Sequence, residues 1–312
     1  MRMLAWVVAA VGVALTARAE GPAPRKVVAT TGMIADVARV IAGDRARVTG
    51  LMGEGVDPHL YKATPGDMRL LADADLILYN GLHLEGRLGD VLVRMARRTP
   101  TVQVTDTIPE ARLHEPPEFE GHYDPHVWFD VRLWKAVATR IGAALAEIDA
   151  EGKEHYAAAA EAYGRSLDEL HTWAEERFRS IPEERRLLVT AHDAFGYLGS
   201  AYALRVMAIQ GISTDSEASI KDINHLVDTV VELKVPAVFV ETSVPRKTIE
   251  ALVEGARARG HRLVIGGELF SDALGRDGTP EGTYIGMVRH NVNTIVGALG
   301  PSDRPAAGVA PR

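Results

Sequence analysis

The sequence predicts an α/β protein of two lobes, each a mostly parallel sheet flanked by helices, with one long helix between them. Three observations carry this reading. Short β-branched apolar runs alternate with helical periods from residue 26 onward, the pattern gives way to nearly continuous helix over 131–179, and the alternation resumes at 186. Alternating βα units build parallel sheets, whose ligands collect outside the carboxyl ends of the strands.

Taken in order, residues 26–30 read as a strand, 33–42 as a helix stopped at Gly43, and 46–52 as a second strand. Thr64 supplies an N-cap and Pro65 a first-turn proline for a helix through 74, and a buried-looking strand follows at 76–79. The helical region 131–179 is broken by the polar stretch 150–153. In its second half Tyr156, Ala160, Tyr163, Leu167, Leu170 and Ala174 recur at helical spacing and make one apolar stripe. Later strands are expected at 186–190, 205–209, 237–241 and 262–265, with helices at 220–233, 247–259 and 281–299. The expected division is an amino-terminal lobe at 20–152, a linking helix at 153–180, a carboxyl-terminal lobe at 181–300 and a disordered Pro/Ala/Gly tail at 301–312.

Arg2, the apolar run from Leu4 to Leu15 and the small-residue site Ala17-Arg18-Ala19 predict a secretory signal peptide over 1–19, and hence a soluble periplasmic protein. That run is too short to cross a bilayer, and no later stretch is apolar for long enough. The absence of cysteine excludes disulfides, thiolate metal ligands and a lipid-modified cysteine, so the chain is not expected to be a lipoprotein. A formal net charge of -7 argues against nucleic acid as a partner.

The tripeptide Asp-Pro-His occurs twice in predicted loops, at Asp57-Pro58-His59 and Asp124-Pro125-His126. Proline fixes its own φ and holds the preceding residue extended, so each histidine leaves a stiffened turn in a restricted direction. One copy alone reads as an ordinary turn; the pair points to a metal. His192 follows the strand at 186–190, Asp272 lies beyond the strand at 262–265, and Glu241 ends the strand at 237–241. Singly, these read as a loop or core histidine, a cap or turn carboxylate, and a surface, paired or supporting acid. His83, His155, His171, His225, His261 and His290 fall on predicted helices or near strand starts and read as structural or solvated. His114 and His122 are too few to form a metal-collecting tract.

In order, Gly55-Val56-Asp57-Pro58-His59-Leu60-Tyr61, Asp124-Pro125-His126-Val127-Trp128, His192-Asp193-Ala194-Phe195 and Ser271-Asp272-Ala273-Leu274-Gly275 strongly resemble the zinc and manganese solute-binding proteins of bacterial ABC importers. Asn80-Gly81-Leu82-His83-Leu84-Glu85 and the stretch from Thr283 to Asn291 extend that resemblance over nearly the whole mature chain. The resemblance implies two α/β lobes joined by one rigid helix, with the metal in the cleft between them. His59 and His126 are then expected as ligands from the first lobe, and His192 and Asp272 from the second. It further implies a monomer that hands a divalent metal ion to an inner-membrane ABC permease, with release depending on local rearrangement of a ligand loop.

Three imidazoles and one carboxylate can fill a tetrahedral zinc shell, or a larger one if Asp272 binds through both oxygens. Imidazole suits zinc, while carboxylate and water suit manganese, so Zn²⁺ is the expected cargo and Mn²⁺ its close alternative. In the family the manganese members often carry a carboxylate where this chain has His192, and zinc members a long His-rich loop that is absent here. Asp57, Asp124 and Asp193 are candidates to receive the second N–H of the ligating imidazoles, and Glu241 is expected to border the site without being a ligand. The competing readings are an exported zinc-dependent hydrolase with Glu241 as its base, and a metal-binding adhesin or storage protein on the same scaffold. No His-Glu-x-x-His pair supports the first, and the chain is not expected to be an enzyme.

Overall fold

A computed structural model of the chain describes residues 23–301. The expected signal peptide at 1–19 and the tail beyond Pro301 lie outside them. The first lobe is built from β1 (Arg25–Ala29), α1 (Gly32–Ala42), β2 (Ala46–Gly50), α2 (Pro65–Ala72), β3 (Leu76–Tyr79), α3 (Leu88–Met95) and β4 (Thr101–Gln103). Its four strands pair in the order β2-β1-β3-β4, all parallel. The Thr64 cap forms as expected: the hydroxyl takes the Asp67 N–H at 3.2 Å and the Asp67 carboxylate takes the Thr64 N–H at 2.7 Å.

Two helices follow, α4 (Val131–Ile148), packed on α1 in the first lobe, and α5 (Lys153–Arg179), which links the lobes; a single 3₁₀ turn at Ala150–Gly152 separates them. All six residues of the anticipated stripe on α5 are buried, joined by Phe178 at the far end. At ~1.5 Å per residue this helix is about 40 Å long. Its stripe packs against α1 of the first lobe and α9 (Tyr284–Leu299) of the second, and one apolar core runs continuously through both.

The second lobe contains β5 (Leu187–His192), α6 (Gly196–Tyr202), β6 (Arg205–Gln210), α7 (Ile220–Glu232), β7 (Ala237–Glu241), α8 (Lys247–Ala258) and β8 (Val264–Leu269) before α9. β5 pairs with β6 and β7 with β8, both parallel, and β5 lies beside β7. A second, smaller core of Val189, Val238, Val230 and Leu252 with their neighbours fills this lobe alone.

Three short elements have no counterpart in the sequence reading. α3 and α6 are eight and seven residues long with glycines inside them, and β4 has three residues, so none sustains a readable period. The strand expected at 262–265 instead runs Val264–Leu269, through Gly266-Gly267. The glycines there are not a turn: a Cβ on Gly266 would lie 2.7 Å from that of Ala298 on α9, so the strand needs glycine where the helix approaches. The strand expected to stop at 190 continues to His192, because His192 still pairs with Gln210 of β6. The helix expected from 281 begins at Tyr284, after a 3₁₀ turn at Pro280–Gly282.

Candidate metal centre

The two Asp-Pro-His tripeptides fold into the same turn. In each, the aspartate accepts the backbone N–H of the histidine two residues on: Asp57 Oδ1 from His59 at 2.8 Å, and Asp124 Oδ1 from His126 at 2.9 Å. Short polar side chains form such turns readily, and the intervening proline has no N–H to compete. The copies then diverge. Asp124 Oδ1 also lies 2.7 Å from His126 Nδ1, and a carboxylate can only accept, so Nδ1 carries the proton and Nε2 faces the opposite way. Asp57 turns its second oxygen to the other lobe, where the Thr214 hydroxyl donates to it at 2.6 Å.

The second lobe contributes strand ends. His192 closes β5 and Glu241 closes β7 beside it; the Glu241 carboxylate accepts the N–H groups of Ala191 at 2.8 Å and His192 at 2.9 Å, and a short hydrogen bond from His192 Nδ1. Asp272 sits on the loop after β8, with Ser243 Oγ donating to its Oδ2 at 3.1 Å. Trp128 Nε1 ties that loop to the first lobe by donating to the Ser271 carbonyl at 3.0 Å.

His59, His126, His192 and Asp272 thereby converge, with one candidate ligand atom from each lying within 4.8 Å of the others. His59 Nε2 is 3.3 Å from His126 Nε2, Asp272 Oδ1 is 3.3 Å from His126 Nε2, and Asp272 Oδ2 is 3.3 Å from His192 Nε2. A tetrahedron with bonds of ~2.0 Å has edges of about 3.3 Å, so these separations match a small cation's coordination polyhedron. All four side chains are buried, and His192 Nε2 and Asp272 Oδ1 have no hydrogen-bond partner. Buried polar atoms without partners are costly, and a cation would satisfy both. The donors suit a divalent ion: three imidazole nitrogens, one carboxylate, and further carboxylates on Asp124, Glu241 and Asp57 behind them.

Without a cation, protons take its place. Burial pushes His59 down to about 3, so it is neutral. Burial acts the same way on His126, but the Asp124 and Asp272 carboxylates outweigh it and raise the group to about 9. Glu241 and Asp272 likewise hold His192 well above its ordinary value, again against burial. Asp272 is desolvated too, yet His192 and His126 hold it well below the usual carboxylate range.

The supporting carboxylates are only partly those next in sequence. Asp124 serves His126 as expected, and Asp57 grips His59 through the backbone. For His192 the ring partner is Glu241, 49 residues away. Thr214 and Ser243 carried no signal in the sequence, since a hydroxyl marks no motif until the fold faces it toward a ligand loop; Trp128 closed a recognised motif, but its bond to the Ser271 carbonyl was not legible there. The other histidines lie elsewhere. The His83 and His122 rings meet edge to face at 4.4 Å, His114 stacks on Tyr197 at 4.0 Å, and His155, His261 and His290 face the carbonyls of Ala42, Val235 and Glu268. His171 contacts the Tyr202 hydroxyl, and His225 is exposed.

Residues 27–298 match the sequence family described as ZnuA, zinc-uptake complex component A, periplasmic. The chain is 48% identical over 273 residues to the zinc-binding protein TroA of Treponema pallidum, covering 88% of each. It is 47% identical over 275 residues to the manganese-binding lipoprotein MntA of Bacillus subtilis, covering 88% of this chain and 89% of that one. Among solved structures, the periplasmic zinc binding protein TroA from Treponema pallidum superposes with a TM-score of 0.87 at 47% identity, covering 89% of this chain and all of that one.

Proposed function

The chain belongs to the periplasmic zinc-uptake component A family, and from that premise we propose that it captures a divalent metal ion outside the cytoplasm and delivers it to an ABC permease. His59, His126, His192 and Asp272 bind the ion directly in this reading, two from the lobe at 20–152 and two from the lobe at 181–300, with the helix at 153–180 between them. The observation that carries it is the convergence of four buried donors within 4.8 Å of one another, two of them with orphaned atoms. Zinc is the favoured cargo, because three imidazoles at one small site suit it and affinity at a fixed site rises from manganese to zinc. Manganese is the competitor, and relatives named for each metal stand at nearly equal identity.

A binding role is favoured over the hydrolase reading by the fate of Glu241. Both of its oxygens are occupied by the His192 ring and two backbone N–H groups, which leaves no free base for a metal-bound water. The relatives are named as binding proteins, in keeping with a chain that carries rather than converts. We read the protein as a monomer without a nucleic-acid partner. The MntA relative is named a lipoprotein, but this sequence has no cysteine to carry a lipid, so we read it as free in the periplasm. Among the described residues no helix is long and apolar enough to cross a membrane.

The test is competition binding of zinc and manganese to the metal-stripped protein, alongside the metal content after mild purification. One equivalent of zinc should bind and resist exchange by manganese. His126→Ala should weaken binding severely; unchanged affinity in that variant would remove the assignment. Loss of growth under metal limitation on deleting the gene separates transport from adhesion or storage.

A further inference from the structure

The four proposed ligands are not held alike. His126 is braced at its ring by Asp124, His192 ends a strand and is braced by Glu241, and Asp272 is held by Ser243 next to a residue pinned by Trp128. His59 lies on an irregular segment between β2 and α2, and Asp57 holds it through its backbone N–H rather than through its ring. It is also the most exposed of the four, at 4% against 0% for the other histidines and 2% for Asp272, and its neighbour Leu60 is 51% exposed. Of the four buried ligands, His59 is thus the one nearest solvent.

A side-chain hydrogen bond ties that loop across the cleft. Thr214 Oγ1 donates to Asp57 Oδ2 at 2.6 Å, while Asp57 Oδ1 accepts the His59 N–H at 2.8 Å, so one carboxylate spans a second-lobe hydroxyl and a ligand's backbone. Thr214 is 7% exposed although it lies in a largely exposed irregular stretch between β6 and α7. Its position is set by Gln210, whose Nε2 donates to the Thr214 carbonyl at 3.0 Å and to that of Ser216 at 2.7 Å. Gln210 in turn is the register partner of His192. A continuous path thus joins ligands of opposite lobes, from His192 through Gln210, Thr214 and Asp57 to His59.

We propose that Thr214 is a latch: its hydrogen bond to Asp57 holds the His59 loop closed on the metal and sets the rate at which the ion leaves. Thr214 touches no metal, so it is a positioning residue, and the inference rests on the four-ligand reading above. Hydrogen bonds to a charged acceptor are among the stronger ones, and this one must break before His59 can swing outward. The final ligand set is the same with or without it, so its loss acts on release more than on the geometry of the loaded site.

The experiment uses the full mature chain, stripped, reloaded with zinc and mixed rapidly with excess chelator. Thr214→Val keeps the shape and removes the donor, and should release zinc about tenfold faster; Thr214→Ser restores the donor and should return the rate to near that of the unaltered chain. The melting temperature of the metal-free variants separates latch from scaffold, since a latch leaves it nearly unchanged. Equal release rates in the unaltered chain and Thr214→Val would overturn the proposal, as would a Thr214→Ser variant as fast as the valine one. If the unaltered chain binds zinc but the latch variants do not differ, only this inference fails; if it binds no metal, the four-ligand reading fails with it.

Discussion

Replacing Glu241 by Gln probes whether a single outer carboxylate sets the state of a ligand. Glu241 is 2% exposed and receives three hydrogen bonds, from the Ala191 and His192 N–H groups and from His192 Nδ1. Glutamine has nearly the same shape, and its carbonyl can still serve the two backbone donors. The amide NH₂ then occupies the place of the oxygen that accepted from His192 Nδ1. Donor would face donor, and the relief is for His192 to move its proton from Nδ1 to Nε2. Nε2 is the atom directed at Asp272 and the proposed metal, so the tautomer that suits glutamine is the one that cannot bind. A charge-assisted hydrogen bond contributes about 1.5–3 kcal/mol, or roughly 10–100-fold in an equilibrium constant, which matches the ~10–100-fold usual for losing an outer-shell partner. Zinc affinity should fall by that factor in a chelator-competition titration. The titration belongs at pH 8 as well as pH 6, because removing Glu241 also removes a charge that keeps His192 protonated. Proton competition therefore weakens in the variant, and its affinity should depend less steeply on pH. A Glu241→Gln protein that binds zinc as tightly as the unaltered chain with the same pH slope would refute the tautomer argument.

Three further expectations follow from the same contacts. The carboxylates around His126 hold it near 9 in the metal-free protein, so a bound ion must displace its proton; below that range affinity should fall by up to about tenfold per pH unit for each proton displaced, and a flat titration from pH 8 to 6 would contradict this. Asp149 receives Arg45 Nε at 2.7 Å and the Tyr156 hydroxyl at 2.6 Å, joining the turn after α1 to the ends of α4 and α5. Arg45 and Tyr156 lower Asp149 from its ordinary 3.8 to about 2, so its contribution is present above 3.8 and lost as pH falls through 2. Asp149→Asn should cost about 1–2 kcal/mol near neutral pH, Arg45 being partly screened by water, with the deficit closing on acidification in denaturant melts. Metal should stabilise the fold by mass action: zinc at a hundredfold excess over its dissociation constant should contribute about 2.7 kcal/mol, read as a concentration-dependent rise in melting temperature. A chelator should reverse it, and an unchanged melting temperature would argue that the donors do not bind the ion as a native-state site.

The lobes and the central helix were legible because their signals are periodic and local. The stripe from Tyr156 to Ala174 is a helix face whatever it packs on, and β3 and β7 are short apolar runs between clear boundaries. The misread strand at Val264–Leu269 shows the limit. Two glycines that signal a turn in isolation are strand residues here, because α9 comes too close for a side chain. α6 and β4 are too short for any period to register.

The chemistry divides in the same way. The doubled Asp-Pro-His, with its stiff turn and its aspartate accepting the N–H two residues on, is a property of three consecutive residues, and the sequence by itself determined that both histidines would be held in turns. The order of the four motifs likewise pointed to the residues that meet. What the tertiary structure alone decided is which groups brace them: Glu241 rather than a neighbour for His192, Thr214 for Asp57 across 157 positions, and Trp128 for the Ser271 carbonyl across 143. A carboxylate, hydroxyl or indole becomes a partner only when the packing of the two lobes excludes water and leaves one acceptor within reach. That is a property of the whole fold rather than of any stretch of the chain.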